Sequence, residues 1–332
     1  MVRKACSSLT KVVAALSTTS SLLSSATPAS AAVVDVYANN SSVVDDAACD
    51  CWSAASTTFS NHKRWDFSSM SSYVAVPEVP SEANAAASAY AASEYFLSDE
   101  WTSFWSTQTW AREETDTTIF MANSAANVYI AADDASPSDT FLVLRTARHS
   151  NGLQSAGELQ SLSSNLQHMS VRMYARTVGA AGACTAMFTY LDKGKNGQVQ
   201  EADIEFLTKD ERSTVHYTNQ PVPEETDAMY GSATLTYTMP QAMGEWAEHR
   251  IDWTEGLTEW YINGQRTWQS AYNAPIDPTR LMFNSWSNGN SWTGVMEAGQ
   301  QARLEIKWIE VAYNVEGEQY AAGSCTKTCD LK

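Results

Sequence analysis

The stretch Gln198–Asp210, QVQEADIEFLTKD, carries acidic residues at Glu201, Asp203 and Glu205 with Ala202 and Ile204 between them. On a strand, successive side chains point to opposite faces. All three acids would therefore share one face, and Ala202 and Ile204 would point the other way. Like charges side by side on a sheet destabilise it. The apolar side predicts a strand packed on a core, and the acidic side predicts a purpose other than stability.

Working outward, the flanking sequence keeps the same grain. NVYIAA, TFLVLRTA, GELQSL, HMSVRMYART and ACTAMFTYL precede the acidic stretch; TVHYTN, SATLTYTM, EHRIDWT, LTEWYING, RLMFNSW and RLEIKWIEVAYN follow it. Each is a short apolar or alternating segment bounded by turn residues, which reads as a strand. Asn263-Gly264 in YINGQRTW is a two-residue hairpin signal. A dozen short strands without intervening helices predict an all-β antiparallel sandwich rather than a parallel α/β sheet. SEANAAASAYAASEYFLSDEW, residues 81–101, reads equally as a helix or as a long loop.

The chain has 332 residues, 44% of them hydrophobic, with 12 tryptophans and 14 tyrosines. That is enough apolar material for a sizeable core and excludes global disorder. Residues 1–31 read as a signal peptide: Arg3, Lys4 and Lys11 precede a weakly apolar run ending in Ala29-Ser30-Ala31. Serines and threonines break that run, and no 18 consecutive apolar residues occur elsewhere, so no membrane span is expected. Residues 32–48 read as a disordered lead with overlapping glycosylation sequons at Asn39 and Asn40. Residues 49–332 read as a single catalytic domain. The net charge of −17 becomes more negative still once three basic leader residues are removed. Such a surface argues against nucleic-acid or anionic-membrane partners and suits a neutral ligand. An extracellular location and a monomer are expected.

Cys6 falls in the leader, leaving Cys49, Cys51, Cys184, Cys325 and Cys329. Secretion favours disulfides, and an odd count leaves one thiol over; Cys184, in an apolar run, is the expected lone one. The other four allow three pairings, among them bridges from the first pair to the last and a local Cys325–Cys329 loop. The spacing matches no common zinc site. The acidic triplet lacks the glycine and ligand spacing of a calcium loop, and no metal is expected in catalysis, although a structural calcium elsewhere stays open.

Two carboxylates flanking a sugar linkage are the usual equipment for glycoside hydrolysis. On a flat strand Glu201 and Glu205 would have Cα atoms roughly 13 Å apart, at about 3.3 Å per residue, so a strongly bent strand is needed for both to grip one bond. EADIEFL, with AMFTYLD before it and TVHYTN after it, resembles glycoside hydrolase family 16, the concanavalin-A-like glucanases that include lichenases. The likeness runs in unbroken order through SAGELQS, EHRIDWTEGLTEWYINGQ, LMFNSWSNG and RLEIKWIEVAYN, covering roughly residues 140–314. It implies a β-jelly roll with a concave substrate cleft and a Glu-x-Asp-x-Glu strand. Glu201 would be the nucleophile, Asp203 its assisting acid and Glu205 the general acid/base, raised in pKa by Coulomb coupling to the other acids. The motif lacks the extra residue of typical laminarinases, and Ala202 stands where the family more often has a larger apolar residue.

The resemblance also implies substrate-binding positions. Tyr190 maps onto an aromatic cleft position, and Asn284, Trp286 and Trp292 onto a polar and sugar-stacking segment. Glu158 and Gln160 map onto the polar cleft floor, where lichenases carry arginine in place of Gln160. His216 and Glu248 are further cleft candidates, whereas Trp253, Trp260 and Trp308 read as core or sheet-packing residues. The expected partner is a β-linked polysaccharide such as β-glucan, cut by double displacement with no cofactor. A cell-wall transglycosylase using the same site is the nearest rival. A non-catalytic lectin is the more distant one, since it would be expected to have lost one of the three acids.

Overall fold

The computed structural model describes residues 49–54, 57–318 and 325–331. The leader at 1–31 with its cleavage site, Cys6, the lead at 32–48 and both sequons lie outside the described residues. Strands dominate, and the long antiparallel ladders expected from the alternating segments are present. The fold is the all-β antiparallel sandwich expected from the sequence.

One layer runs through Trp105–Thr107, Gln154–Ser161, Arg280–Trp286, Cys184–Leu191, Gln200–Leu207, Thr214–Gln220 and Thr234–Thr238, each antiparallel to its neighbour. The other runs through Val128–Asp133, Ser136–Arg148, Gln301–Val315, Leu166–Gly179, Ala247–Thr254, Leu257–Ile262 and Gln265–Ser270. Asn61–Asp66 pairs with the second half of Gln301–Val315, beyond the stretch taken by Ser136–Arg148. Strand parity decides what lies between the layers. From the first come Leu159, Met187, Ile204, Phe206, Leu281 and Phe283, and from the second Leu144, Val171, Ile251, Trp253, Trp260 and Ile306, all in one buried cluster. Burying such side chains is worth about 1.5–3 kcal/mol each before entropy is counted, so the strands hold their register because a one-residue slip would expel a whole row.

The hairpin at Asn263-Gly264 forms as the sequence required: both residues have positive φ, 48° and 74°, the two-residue turn whose twist matches its strands. The ambiguous stretch 81–101 resolves into three short turns of helix, Ala83–Ser88, Glu94–Leu97 and Asp99–Thr102. Ser98 caps the last with its side chain, accepting from the Trp101 amide. Tyr95, Phe96 and Trp101 from this region enter the main core, so it is packed structure although it has no long helix.

A separate three-stranded sheet joins Thr57–Phe59, Cys51–Ala54 and Thr328–Asp330. Its parallel pairing sets Cys51 opposite Thr328 and Trp52 opposite Cys329. Beside this pairing Cys49 is bridged to Cys329 and Cys51 to Cys325, with Cα–Cα separations of 5.9 and 5.8 Å. Of the three pairings open in the sequence, the one realised ties the first cysteine pair to the last. Cys184 is free and buried, as expected. The small sheet packs through Phe59, Trp52 and Leu331 on Ala312 of the second layer, remote from the acidic strand. Each bridge closes a loop of more than 270 residues, for which about 2–5 kcal/mol of stability is the usual scale. Reduction with dithiothreitol is therefore expected to lower the calorimetric melting temperature by several degrees; an unchanged melting temperature would contradict that role.

Candidate active site

Gln200–Leu207 behaves as its alternation demands. Ala202, Ile204 and Phe206 are buried, the last two in the main core, while Glu201, Asp203 and Glu205 project from the opposite face into a cavity of about 360 Å³. Cross-strand register builds the floor in rows. Glu205 stands beside Ala186, then Asn284, then Glu158; Asp203 stands beside Phe188, then Met282, then Gln160. Tyr190 is the neighbour of Glu201, and Trp286 closes the row that runs through Cys184 and Leu207. Seven of the eight substrate-binding candidates thus occupy or border this face. Tyr190, Glu158, Gln160, Asn284 and Trp286 line the cavity itself. Trp292 stands beside it, with its indole N–H donating to Glu205 Oε1 at 3.2 Å.

His216 lies directly across from Glu205 on Thr214–Gln220, edge-on to the Trp292 ring at 5.0 Å. Its Nε2 bonds Asp210 at 2.7 Å and its Nδ1 bonds Thr236 at 3.2 Å. It borders the site and is held there. Glu248 does not belong to it. Its strand, Ala247–Thr254, is in the other layer; Ile251 and Trp253 of that strand face the core, so parity puts Glu248 on the outer face, beside Arg172 and Arg250. Local sequence cannot say which layer a strand joins, and that is why this position was misplaced. Trp253 and Trp260 are fully buried core residues, and Trp308 stacks on Tyr174 on the outer face, as sheet-packing residues should.

Other cavity residues were not singled out from sequence. Gln108, Trp110, Arg112 and Met121 come from the segment before residue 140. Trp110 donates its indole N–H to Glu158 Oε1 at 2.9 Å, and Asn284 Nδ2 donates to Oε2 at 3.4 Å. The aromatic richness of DEWTSFWSTQTW was the available clue, but pairing with Gln154–Ser161 is what brings it to the cleft. Cys184 was also missed as a site residue; its thiol lies 3.2 Å from Glu205 Oε1.

All three carboxyls titrate above their ordinary range, and burial is the first cause for each. Glu201 is pushed up to about 7, by burial and by the Glu205 charge, against a lowering interaction with Asp203. Asp203 rises well above normal because it is buried and flanked by both glutamates. Glu205 is raised by burial, while Cys184, Trp292 and His216 pull it back. The upward direction for Glu205 agrees with the sequence reading, but its cause is desolvation rather than Coulomb coupling to the other acids. Such a cluster holds protons in common and suits acid/base work near neutral pH. Among the described residues, no group of three or more His, Cys, Asp and Glu side chains is arranged to hold a metal ion, and no helix is long and apolar enough to cross a membrane.

Comparison with known proteins gives the site its context. The model of Glycosyl hydrolases family 16 matches residues 98–310. A β-glucanase of Paenibacillus polymyxa is 26% identical over 137 residues, 40% of this chain and 54% of that one. The Crh-like protein UTR2 of Candida albicans is 30% identical over 81 residues, 21% of this chain and 16% of that one. The chain spans about half the length of the curated β-glucanase it matches. Among solved structures, a prokaryotic β-1,3-1,4-glucanase (lichenase) from a mouse hindgut metagenome superposes with a TM-score of 0.52 at 14% identity, covering 77% of this chain and 99% of that one. Bacillus licheniformis β-glucanase gives 0.50 at 18%, covering 64% and 92%. These two likenesses speak to the jelly-roll fold.

A carboxyl whose pKa is raised on folding favours the fold in its protonated form. Its contribution is intact below the unfolded value near 4.5 and is lost as pH rises to the folded value near 7. Glu201→Gln removes that loss. The melting temperature of the variant relative to wild type is expected to climb by a few degrees between pH 4.5 and pH 8; a pH-independent difference would show that Glu201 is not perturbed.

Proposed function

The chain belongs to glycosyl hydrolase family 16, and from that premise we propose that it is a secreted, retaining endo-glycosidase that hydrolyses a β-linked polysaccharide such as β-glucan. The observation that carries this reading is the gathering of Glu201, Asp203 and Glu205 on one face of Gln200–Leu207, Asp203 buried and the two glutamates half-buried, over a cavity floored by aromatic and polar side chains. A sugar ring offers a flat apolar face and a hydroxyl rim. Tyr190, Trp286 and Trp110 suit the first, and Glu158, Gln160 and Asn284 suit the second.

In the proposed reaction Glu201 attacks the anomeric carbon while Glu205 protonates the departing glycosidic oxygen. Glu205 then takes a proton from the water that displaces Glu201. Asp203 shares a proton with Glu201 and sets which of the two is charged. Glu201 must be ionised to attack, so its raised pKa places the acid limb of activity near neutrality. The two disulfides support export, since such bridges persist in oxidising compartments. Residues 49–332 act as one catalytic domain after removal of the leader, as a monomer and without a cofactor.

Resolution of the covalent intermediate by an acceptor sugar instead of water would make the same site a transglycosylase. Sizing the products of an oligosaccharide donor separates the two, because transfer yields chains longer than the donor. Screened against β-1,3-, β-1,4- and mixed-linkage glucans and galactans, wild type is expected to release reducing ends. Glu201→Gln and Glu205→Gln are each expected to lose at least ~10³-fold in kcat. Proton NMR of the first product should show the β-anomer. A full-activity Glu201→Gln variant, or an α-anomer as first product, would overturn the mechanism.

A further inference from the structure

Glu205 is not held symmetrically. Its Oε1 accepts from Cys184 Sγ at 3.2 Å and from Trp292 Nε1 at 3.2 Å, while Oε2 takes no hydrogen bond from the described residues. An ionised carboxylate oxygen has about two lone-pair sites, and both on Oε1 are filled. Each donor is fixed from behind. Cys184 has no exposed surface and sits between Leu207 and Trp286 in register, in an apolar cluster with Ala186, Phe188 and Met282. Trp292 is braced by the His216 ring, which Asp210 and Thr236 hold in turn.

We infer that Cys184 and Trp292 are positioning residues for Glu205: by occupying the same oxygen, they leave Oε2 to exchange the proton with the glycosidic oxygen. The inference rests on the hydrolase reading above. In the first step the Oε2 proton moves to the leaving oxygen as its bond to the anomeric carbon breaks and a Glu201 oxygen bonds to that carbon. In the second, water bonds to the carbon, the bond to Glu201 breaks and the water's proton goes to Oε2. Donors on Oε1 favour the ionised form, so they ease departure of the first proton and fix where the second arrives. Burial keeps the Cys184 thiol protonated far above neutrality, so it remains a donor throughout. The other titratable groups around Glu205 are Glu201 and Asp203 on its own strand, His216 with its partner Asp210 on one side, and Glu158 at the far end of its row.

The test uses the full chain with Cys184→Ala, Cys184→Ser and Trp292→Phe, the last keeping the ring and losing the N–H. Loss of a donor should raise the Glu205 pKa by about half a unit or more. That moves the basic limb of kcat/KM on a soluble β-glucan to higher pH and lowers kcat by ~10-fold, with KM changed less than ~3-fold. The defect should shrink on a dinitrophenyl glycoside, whose leaving group needs no proton, and Cys184→Ser should recover toward wild type. Infrared titration of the carboxyl band, with Glu205→Gln as the subtraction reference, reads the same shift without substrate. Unshifted titrations in both Cys184→Ala and Trp292→Phe, at wild-type melting temperatures, would overturn the inference. If Cys184→Ala does not fold, Trp292→Phe and Cys184→Ser decide by the same readings. A wild type inactive on every glucan and galactan of the panel would defeat the hydrolase reading instead, and the infrared titration would still report whether these residues act on Glu205.

Discussion

Three carboxyls lie side by side on one strand face, Asp203 buried and Glu201 and Glu205 half-buried, and the strand that carries them is built to tolerate that. Isolated burial of ionised carboxylates is costly enough that such groups take up protons instead, which is what the raised values of Glu201, Asp203 and Glu205 express. The opposite face of the same strand supplies the compensation. Ala202, Ile204 and Phe206 are buried, and the Trp260 indole donates to the Asp203 carbonyl at 2.8 Å from the core side. That indole is itself stacked between Trp268 and Tyr217, with centroids 4.7 and 5.7 Å away. A strand anchored so firmly beneath can carry like charges above.

The two layers divide the labour. The layer containing the acidic strand presents carboxyls, amides and rings to the cavity, row by row. The other layer keeps its charges on its outer face and pairs them there: Arg176 with Glu305 at 2.6 Å, Arg250 with Asp252 at 2.6 Å and His62 with Glu310 at 3.1 Å. Glu248 belongs to that outer face. Among the described residues Glu305, Asp252 and Glu310 are each ion-paired, whereas Glu201, Asp203 and Glu205 share one face and burial raises each of them. This difference separates a structural carboxylate from one available for proton transfer.

Much of this was legible in the sequence because strand parity is a local property. Alternation alone placed Glu201, Asp203 and Glu205 on one face, and the order of apolar segments gave the sandwich. Register is not local, and the residues missed follow from that. Nothing near Cys184 in the sequence says that its thiol meets Glu205, since the contact is made one strand over. Trp110 and Arg112 reach the cleft through pairing of Trp105–Thr107 with Gln154–Ser161 and of Ala111–Arg112 with Met121–Asn123, which itself pairs with Gln154–Ser161. The disulfides illustrate the boundary well: counting left three pairings, and the structure realises Cys49–Cys329 with Cys51–Cys325, where Cys51–Ala54 lies alongside Thr328–Asp330. Coulomb coupling was the natural guess for Glu205 from neighbouring acids, yet depth of burial, which sequence does not give, is the larger influence.

The most direct trial of the account is covalent trapping. Wild-type protein incubated with an activated 2-deoxy-2-fluoro β-glucan oligosaccharide should accumulate a one-to-one adduct, and peptide mass spectrometry should place the sugar on Glu201. A protein that turns over β-glucan without forming any adduct, or that carries the sugar on Glu205 or on a residue outside Gln200–Leu207, would contradict it.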